Sequence, residues 1–415
     1  MLSISPPDGP LSNERPSRSI NISRRQFAAW LGGVLAMSAC GSPVQKILDA
    51  AEERRDPRGA TDQTPSPRSV NARELGAKGD GKTDDTHAIN AAIRAAGNLG
   101  RSVTIPDGIY LINPAVSVQV ATNVPLLLGA NATLQAIPVR AGFSAVIACA
   151  GLNNVRISGG KIVGERTGHL GTTGEWGMGI RVLGCSDVRL EGIQVVDCWG
   201  DGFYIGALAG KESQNVTISK CSARNNRRQG LSITGCVGAD IVDCELTDTV
   251  GTAPAAGIDL EPNRGLRVSE VTITNCITAR NSGHGILLVG DGVSDVRITS
   301  GHSYDNWGSG VAMVNGATGC SMTRNLFEGN RENGVLLSNA HRSELWSNVV
   351  RHNGHGRRQR FTNIMVTGGS SHDALSDNHC AGVQSLAQLQ LPDITVTPDC
   401  RDIQIGTSQR RSRGS

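Results

Sequence analysis

Short alternating hydrophobic segments recur along most of the chain. Each starts at a glycine that is followed by an aliphatic or aromatic residue, a variable residue and a second apolar residue. The glycines are Gly179, Gly202, Gly230, Gly257, Gly285, Gly310 and Gly334, with successive spacings of 23, 28, 27, 28, 25 and 24 residues. Alternation of this kind predicts strands with one buried and one outward face.

A second apolar segment lies between successive glycines. These segments are residues 188–190, 216–218, 241–242, 271–273 and 296–298. Two or three short strands in each period of about 20–30 residues predict coils that stack in parallel as a solenoid. We therefore predict an all-β fold, a single right-handed parallel β-helix over residues 70–400.

The first coil of such a solenoid needs a cover, because it has no neighbour on one side. Residues 84–96 have a helical pattern and begin with Asp84 and Asp85, which suit the positive end of a helix dipole. Short strands follow at residues 103–105 and 109–112. We expect an N-terminal capping helix, and we interpret the acidic pair as its cap rather than as catalytic residues.

Residues 76–85 (GAKGDGKTDD) and 105–110 (IPDGIY) resemble the opening of the pectate-lyase superfamily. This group includes polygalacturonases, rhamnogalacturonases, mannuronan C5-epimerases and phage tailspikes, and the resemblance covers roughly residues 70–380. It implies a parallel β-helix and a polysaccharide partner. The reaction stays open between hydrolysis, elimination, epimerisation and binding without catalysis.

Two columns of repeated residues are expected to stabilise the coils. Asparagines that stack at a turn can bond to their neighbours in adjacent coils, and they recur here as Asn226, Asn281, Asn306 and Asn330. Cysteines follow the second strand of three coils, at Cys221, Cys244 and Cys276. Residues 23–27 (SRRQF) resemble the twin-arginine motif of proteins that fold in the reducing cytoplasm before export, and no C-x-x-C motif is present. We therefore expect free, buried thiols that pack as small hydrophobic residues.

Polar residues crowd the outward positions only between residues 175 and 285. Asp259 and Glu261 stand two residues apart on one strand, so their β-carbons share a face roughly 6.5–7 Å apart. Asp201 is expected two coils away, at roughly 9–10 Å. Carboxyl groups about 6.5–9.5 Å apart suit inverting glycoside hydrolysis. We predict Glu261 or Asp201 as the acid and Asp259 as the base, with calcium binding or solvation of a groove as the alternative role.

Further residues border the same face and are candidates for binding the substrate. They are Arg181, Arg228, Glu175, His284, Trp176 and Trp199, and Trp307 shares the column of the two other tryptophans. A tryptophan ring can stack on a sugar face, and packing over the edge of a coil is its alternative role.

Elimination or epimerisation at a uronate sugar would use other groups. Arg181 or Arg228 would neutralise the sugar carboxylate, while Tyr204 or His284 would exchange protons.

Residues 257–261 (GIDLE) are similar to the strand that carries the catalytic Asp-Pro-His-Glu run of mannuronan epimerases, with Asp259 in place of the aspartate. Leu260 and Glu261 replace the proline and the histidine, which weakens the epimerase interpretation. The sequence also lacks the strand Asp-Asp pair and the downstream Arg-Ile-Lys of polygalacturonases. We therefore predict hydrolysis ahead of elimination or epimerisation, and a non-catalytic carbohydrate-binding adhesin as the competing class.

Composition and charge limit the classes of binding partner that we expect. Aromatic residues make up 3% of the chain and 52 residues are glycine, which suits tight turns around an aliphatic core. The formal net charge is +3, and no basic stripe is interleaved with aromatics, so we do not expect nucleic acid to bind. No cofactor is expected apart from the calcium alternative above.

The N-terminus predicts export. Residues 23–27 (SRRQF) resemble a twin-arginine motif, and the apolar run at residues 28–39 is too short for a lasting membrane anchor. Residues 37–41 (MSACG) resemble a lipoprotein processing site that would acylate Cys40, so we expect a periplasmic or envelope-anchored protein. The predicted segments are a signal at residues 1–40, a polar linker at 41–69, the β-helix at 70–400 and a basic tail at 401–415.

Overall fold

The computed structural model describes residues 69–172, 174–356, 361–382 and 392–406. The chain divides into two units, residues 1–62 and 63–415, and all described residues belong to the second. The predicted signal, Cys40, nearly all of the predicted linker and most of the basic tail lie outside the described residues. No helix in the described ranges is long and apolar enough to cross a membrane.

The described chain winds through three parallel sheets, which confirms the predicted right-handed parallel β-helix. Successive strands of the sequence belong to different sheets, and each strand pairs with the equivalent strands of the coils before and after it. We name the sheets A, B and C.

Sheet A contains Val70–Asn71, Val103–Ile105, Leu126–Leu128, Asn153–Ser158, Ser186–Glu191, Ser213–Ser219, Cys236–Val242, Val268–Thr274, Val293–Thr299, Ser321–Thr323, Glu344–Trp346, Ala374–Ser376 and Gln404–Gly406. Sheet B contains Asp80–Asp84, Gly108–Ile112, Ala132–Ala136, Lys161–Val163, Gln194–Val196, Ser222–Arg224, Glu245–Thr247, Ile277–Ala279, His302–Tyr304, Leu326–Glu328, Val349–Arg351 and His379–Ala381. Sheet C contains Val118–Gln119, Phe143–Ala150, Trp176–Leu183, Phe203–Gly206, Leu231–Ile233, Ile258–Leu260, Ile286–Val289, Val311–Val314, Val335–Ser338, Ile364–Thr367 and Ile394–Val396.

The seven glycine segments of the sequence form seven of the eleven strands of sheet C. Phe203 pairs with Leu231, and Leu231 pairs with Ile258, so the inward apolar residues of successive segments stack into one continuous core. A β-carbon at Gly230 would lie 2.5 Å from the carbonyl oxygen of Gly257 and 3.1 Å from Cβ of Leu246. Glycine is therefore required where the narrow coil turns into this sheet.

A helix (α1, Thr86–Leu99) covers the start of the solenoid, as predicted. Its buried face contains Ile89, Ala92, Ile93 and Ala96, and it ends at a left-handed glycine. These residues pack into the same core as the first coils, so the helix shields apolar surface that would otherwise face water.

The acidic pair before this helix has a structural role. Asp84 Oδ1 accepts a hydrogen bond from the backbone N–H of Thr86 over 3.0 Å. Asp85 is buried, and its carboxylate accepts hydrogen bonds from the backbone N–H groups of Lys78 (2.7 Å) and Gly79 (2.9 Å). Asp84 thus binds the first N–H of the helix, whereas Asp85, the N-cap residue, uses its side chain to fix the preceding turn.

The predicted asparagine ladder is present in the later coils. Asn281 Nδ2 donates to Oδ1 of Asn306 over 3.0 Å, Asn306 Nδ2 donates to Asn330 over 2.9 Å, and Asn330 Nδ2 donates to Asn353 over 3.0 Å. All of these side chains are buried. Each amide therefore satisfies polar groups that the tight turn would otherwise leave unpaired.

Asn226 stands outside this ladder because Thr249 occupies the corresponding position in the next coil. Asn226 Oδ1 still accepts from the backbone N–H of Cys198, but its Nδ2 has no partner among the described residues. A second ladder, which the repeat analysis does not identify, joins Asn325 to Asn348 and Asn348 to Asn378.

The cysteines of the described residues are all free, which confirms the predicted thiol state. Cys221, Cys244 and Cys276 are buried, and their thiols lie 3.3–3.4 Å from backbone carbonyl oxygens of the strands that precede them. They pack inside the core as small hydrophobic residues.

We expect Asn306→Ala to lower the free energy of unfolding by about 2–4 kcal/mol, because it removes the acceptor of the buried Asn281 N–H and one hydrogen bond each from the side chains of Asn281 and Asn330. Asn226→Ala serves as the matched control, because that side chain makes fewer bonds, and it should cost only about 1–2 kcal/mol. Urea unfolding measures both variants. Equal costs would contradict a cooperative ladder.

Candidate active site

One outward side chain from each of five successive strands of sheet C lies in a single row, which we call the file. Arg181 pairs with Tyr204, Tyr204 with Ser232, Ser232 with Asp259, and Asp259 with Leu287. Adjacent strands are about 4.8 Å apart, so residues that are distant in sequence become close neighbours. The structure thus aligns the outward column that the repeat predicts.

Asp259 lies in this file and is only 2% exposed. Gln229 Nε2 donates a hydrogen bond of 2.8 Å to Oδ2 of Asp259, and the backbone N–H of Ala256 holds Gln229 by donating to its Oε1 over 2.7 Å. Oδ1 of Asp259 is buried and has no hydrogen-bond partner among the described residues. A carboxyl group in these surroundings is costly in its charged form.

Burial raises the pKa of Asp259 to about 8, and the nearby charge of Glu261 adds to the increase, while Arg228 opposes it. Glu261 is exposed and follows the strand that carries Asp259. Leu260, the residue between them, belongs to the core. A buried carboxyl that keeps its proton near neutral pH therefore lies beside a solvated carboxyl on one face.

Asp201 is fully buried and forms an ion pair with Arg228, whose Nη1 lies 3.2 Å from Oδ2 of Asp201. Nε of Arg228 lies 3.4 Å from Oε2 of Glu175. Burial raises the pKa of Asp201 to about 7, although Arg228 acts in the opposite direction. Burial alone would lower the pKa of Arg228, but the surrounding carboxylates, Asp201 first, raise it. Asp201 therefore supports Arg228, because its carboxyl is taken up by that guanidinium.

Arg181 and Tyr204 occupy the N-terminal part of the file. The Tyr204 hydroxyl accepts a hydrogen bond of 2.9 Å from Oγ1 of Thr234, so its own proton can be donated elsewhere. The Arg181 guanidinium lies 4.5 Å from the ring centre of Phe143, and burial lowers its pKa. Unlike Arg228, Arg181 has no ion-pair partner in the part of the chain that the structure describes.

His284 lies at the turn into the strand that follows Asp259. Its Nδ1 accepts a hydrogen bond of 2.9 Å from the backbone N–H of Ser309, so the ring proton lies on Nε2. Burial lowers the pKa of His284 to about 4. The imidazole is therefore neutral at physiological pH and presents a single N–H donor.

Trp199 is a packing residue. Its ring centre lies 4.1 Å from that of His169 and 3.8 Å from the guanidinium carbon of Arg227. The imidazole and the guanidinium are both too close to share one face of the Trp199 ring, so they cover its opposite faces. Its Nε1 donates to the carbonyl oxygen of Gly174 over 3.1 Å. This arrangement corrects the sugar-stacking role predicted for Trp199, because neither ring face is open. Trp176 is 42% exposed.

Phe143 is a residue of this site that the repeat analysis misses. It pairs with Trp176 at the start of the strand Phe143–Ala150. That strand has Val146 where the following coil has the repeat glycine, so the glycine pattern does not mark it.

Two further observations concern other ligands. No group of three His, Cys, Asp or Glu side chains that could hold a metal ion occurs among the described residues.

A separate cavity of about 410 Å³ lies on the outer face of sheet A and is lined by Arg156, Arg189, Asp240 and Arg297 among others. It contains none of the residues of the sheet C file.

The protonated state of Asp259 makes stability depend on pH. The folded protein binds a proton that the unfolded chain releases above its ordinary pKa of 3.8, so stability falls as pH rises from about 4 to about 8. Asparagine resembles the protonated acid. We therefore expect Asp259→Asn to reduce the fall in the free energy of unfolding over this pH range by a few kcal/mol at most. Melting temperatures from pH 4 to 9 test this. Asp295→Asn, at an exposed position, is the matched control and should follow the parent profile.

Some known proteins are similar to this chain in sequence, and others are similar in fold. The YclG protein of Bacillus subtilis (strain 168) is 33% identical over 220 residues, which are 46% of this chain and 38% of YclG. Alginate lyase 7 of Azotobacter vinelandii is 31% identical over 166 residues, which are 38% of this chain and 17% of that protein. The chain thus spans less than half the length of these relatives.

The A-module of the mannuronan C-5 epimerase AlgE4 of Azotobacter vinelandii superposes with a TM-score of 0.68 at 19% identity, covering 81% of this chain and 95% of the module. This likeness concerns the fold. The family described as right handed beta helix region matches residues 253–388. The family described as rhamnogalacturonase A/epimerase, pectate lyase-like matches residues 69–312, which is more than half of the chain. The chain therefore belongs to the rhamnogalacturonase A/epimerase, pectate lyase-like family.

Proposed function

We propose that this protein hydrolyses a polysaccharide at the sheet C face, with Asp259 as general acid and Glu261 as general base. The observation that carries the proposal is a buried carboxyl with a pKa raised to about 8 beside an exposed carboxyl two residues along the chain. Inverting hydrolysis uses one protonated and one charged carboxyl about 6.5–9.5 Å apart. Strand alternation separates the β-carbons of this pair by roughly 6.5–7 Å.

This assignment reverses the roles that the sequence alone favours. The group that keeps its proton near neutral pH is the one that can donate it to a leaving oxygen, so burial makes Asp259 the acid. The solvated Glu261 can activate a water molecule. The pKa of Asp201 is also raised, but its carboxyl is paired with Arg228 and acts by positioning that guanidinium.

Two observations support a polysaccharide that contains uronate units. Arg181 is a half-buried cation without an ion-pair partner among the described residues, so it is available to a sugar carboxylate. The relatives include an alginate lyase and a mannuronan epimerase by name. We further propose export, on the twin-arginine motif at residues 23–27 and the lipoprotein-like site at Cys40.

Elimination is the second candidate, and the neighbouring Arg181 and Tyr204 favour it. Elimination needs a cation on the uronate carboxylate and a group that exchanges a proton at the adjacent carbon. Arg181 would provide the first and the Tyr204 hydroxyl the second. His284 would contribute as a neutral donor through Nε2.

The first test is incubation with acidic and neutral polysaccharides, in which new reducing ends and the ultraviolet absorbance of unsaturated products are followed together. Hydrolysis predicts reducing ends without absorbance. Reducing ends with absorbance would favour elimination at Tyr204. Glycan binding without either signal would favour the adhesin.

We expect Glu261→Gln to lower kcat at least about 100-fold, because the amide cannot accept a proton from water. Glu245→Gln is the matched control, since Glu245 is also exposed but belongs to sheet B. Steady-state kinetics on the best polymer of the panel measures both variants. Similar activities in the two variants would contradict the role of Glu261.

The pH profile separates the two candidate reactions. If Asp259 is the acid, kcat/KM falls as pH rises through about 8, because the donor loses its proton. Asp259→Asn should abolish turnover throughout the profile. A rate that keeps rising above pH 8 would instead indicate a base of the Tyr204 kind.

A further inference from the structure

We propose that two aromatic platforms, each an exposed ring with a guanidinium over it, bind acidic sugar units on either side of the carboxyl pair. The first platform is Phe143 with Arg181, and the second is Trp307 with Arg331. The inference rests on the proposed function and deepens it: the substrate is an acidic polysaccharide long enough to reach both platforms.

Trp307 shares the turn column of Trp199 but has a different environment. It is 61% exposed, and the guanidinium of Arg331, from the following coil, lies 5.2 Å from its ring centre. The preceding coil has the small Ser282 at this position, whereas Trp199 has His169 on its second face. One face of the Trp307 ring is therefore open to a ligand.

Phe143 forms the equivalent platform at the other end of the file. Its ring is 53% exposed, although it is a large apolar side chain, and Arg181 lies 4.5 Å from the ring centre. Trp176 is paired with Phe143 and enlarges the aromatic surface there. Both ends of the face thus combine an exposed aromatic ring with a guanidinium.

The charges of the two platforms indicate an anionic ligand. Neither Arg181 nor Arg331 has a carboxylate partner in the described ranges, whereas Arg228, Arg280 and Arg351 are all in ion pairs. An aromatic ring binds the C–H face of a sugar, and a guanidinium beside it can donate hydrogen bonds to a uronate carboxylate. A polymer of uronate units can place one sugar against the open ring face and offer a neighbouring carboxylate to the guanidinium.

The positions of the platforms indicate how far the ligand must extend. The strand that begins at Phe143 lies four strands before that of Asp259, and Trp307 precedes the second strand after it. With strands about 4.8 Å apart, these separations are roughly 19 and 10 Å along the solenoid. The platforms therefore hold sugar units that flank the bond under attack.

Binding is measured by isothermal titration in the Glu261→Gln background, with polymannuronate and polygalacturonate as acidic probes and dextran as the neutral one. We expect Trp307→Ala and Phe143→Ala each to weaken binding of an acidic polymer about tenfold, and Trp307→Phe to retain most of the affinity. Trp346→Ala is the matched control: Trp346 is 45% exposed but lies on sheet A, and its variant should bind as the parent does.

Arg331→Gln tests the charge. It should reduce the preference for acidic over neutral polymer and the dependence of binding on salt. If the Trp307→Ala and Phe143→Ala variants bind an acidic polymer as tightly as the Trp346→Ala control, the proposed role of the platforms is wrong. If the parent binds dextran as tightly as the acidic polymers, the proposal of an acidic ligand is wrong. The proposed function is judged separately by cleavage with Glu261 intact. Cleavage with unchanged binding rejects only the platforms, whereas weakened binding without cleavage supports them and rejects the hydrolase.

Discussion

Each coil of this molecule satisfies its strand hydrogen bonds only through the coils before and after it. All three sheets are built from parallel pairs between equivalent strands, so a coil that loses its register loses its hydrogen bonds and its core contacts together. The narrow turns depend on the same constraint. Buried asparagines bridge one coil to the next, and glycine stands where a β-carbon would meet the neighbouring backbone.

Stacking also determines what the outer face can do chemically. Residues about 25 apart in sequence meet at one strand spacing, which builds the file from Arg181 to Leu287 out of separate coils. Because the outward residues of sheet C are partly covered, a carboxyl in this file loses solvent without gaining a full set of partners. Asp259 illustrates this, since one of its oxygens has a glutamine donor and the other has none among the described residues.

The turn column shows how neighbouring coils change the role of one residue type. Trp199 and Trp307 occupy equivalent positions, and each has an arginine from the following coil against its ring. The segment around His169 covers the second face of Trp199, whereas the coil before Trp307 carries a serine. One tryptophan therefore stabilises a turn, and the other exposes a surface that can bind a sugar.

Local alternation and spacing along the chain are enough to predict the β-helix, the seven glycine-marked strands of sheet C, the capping helix to within three residues and the later asparagine ladder. These features follow from local alternation and from spacing along the chain, which are visible without coordinates. The outward column that brings Tyr204 and Asp259 to one face was equally predictable, because strand residues alternate. The tertiary structure was needed to show that Asp259 is buried, which raises its pKa, that Asp201 supports Arg228, that Phe143 joins the site and that Trp199 is enclosed. Each of these depends on which side chains and turns from other coils exclude water, and no local pattern of residues specifies that packing.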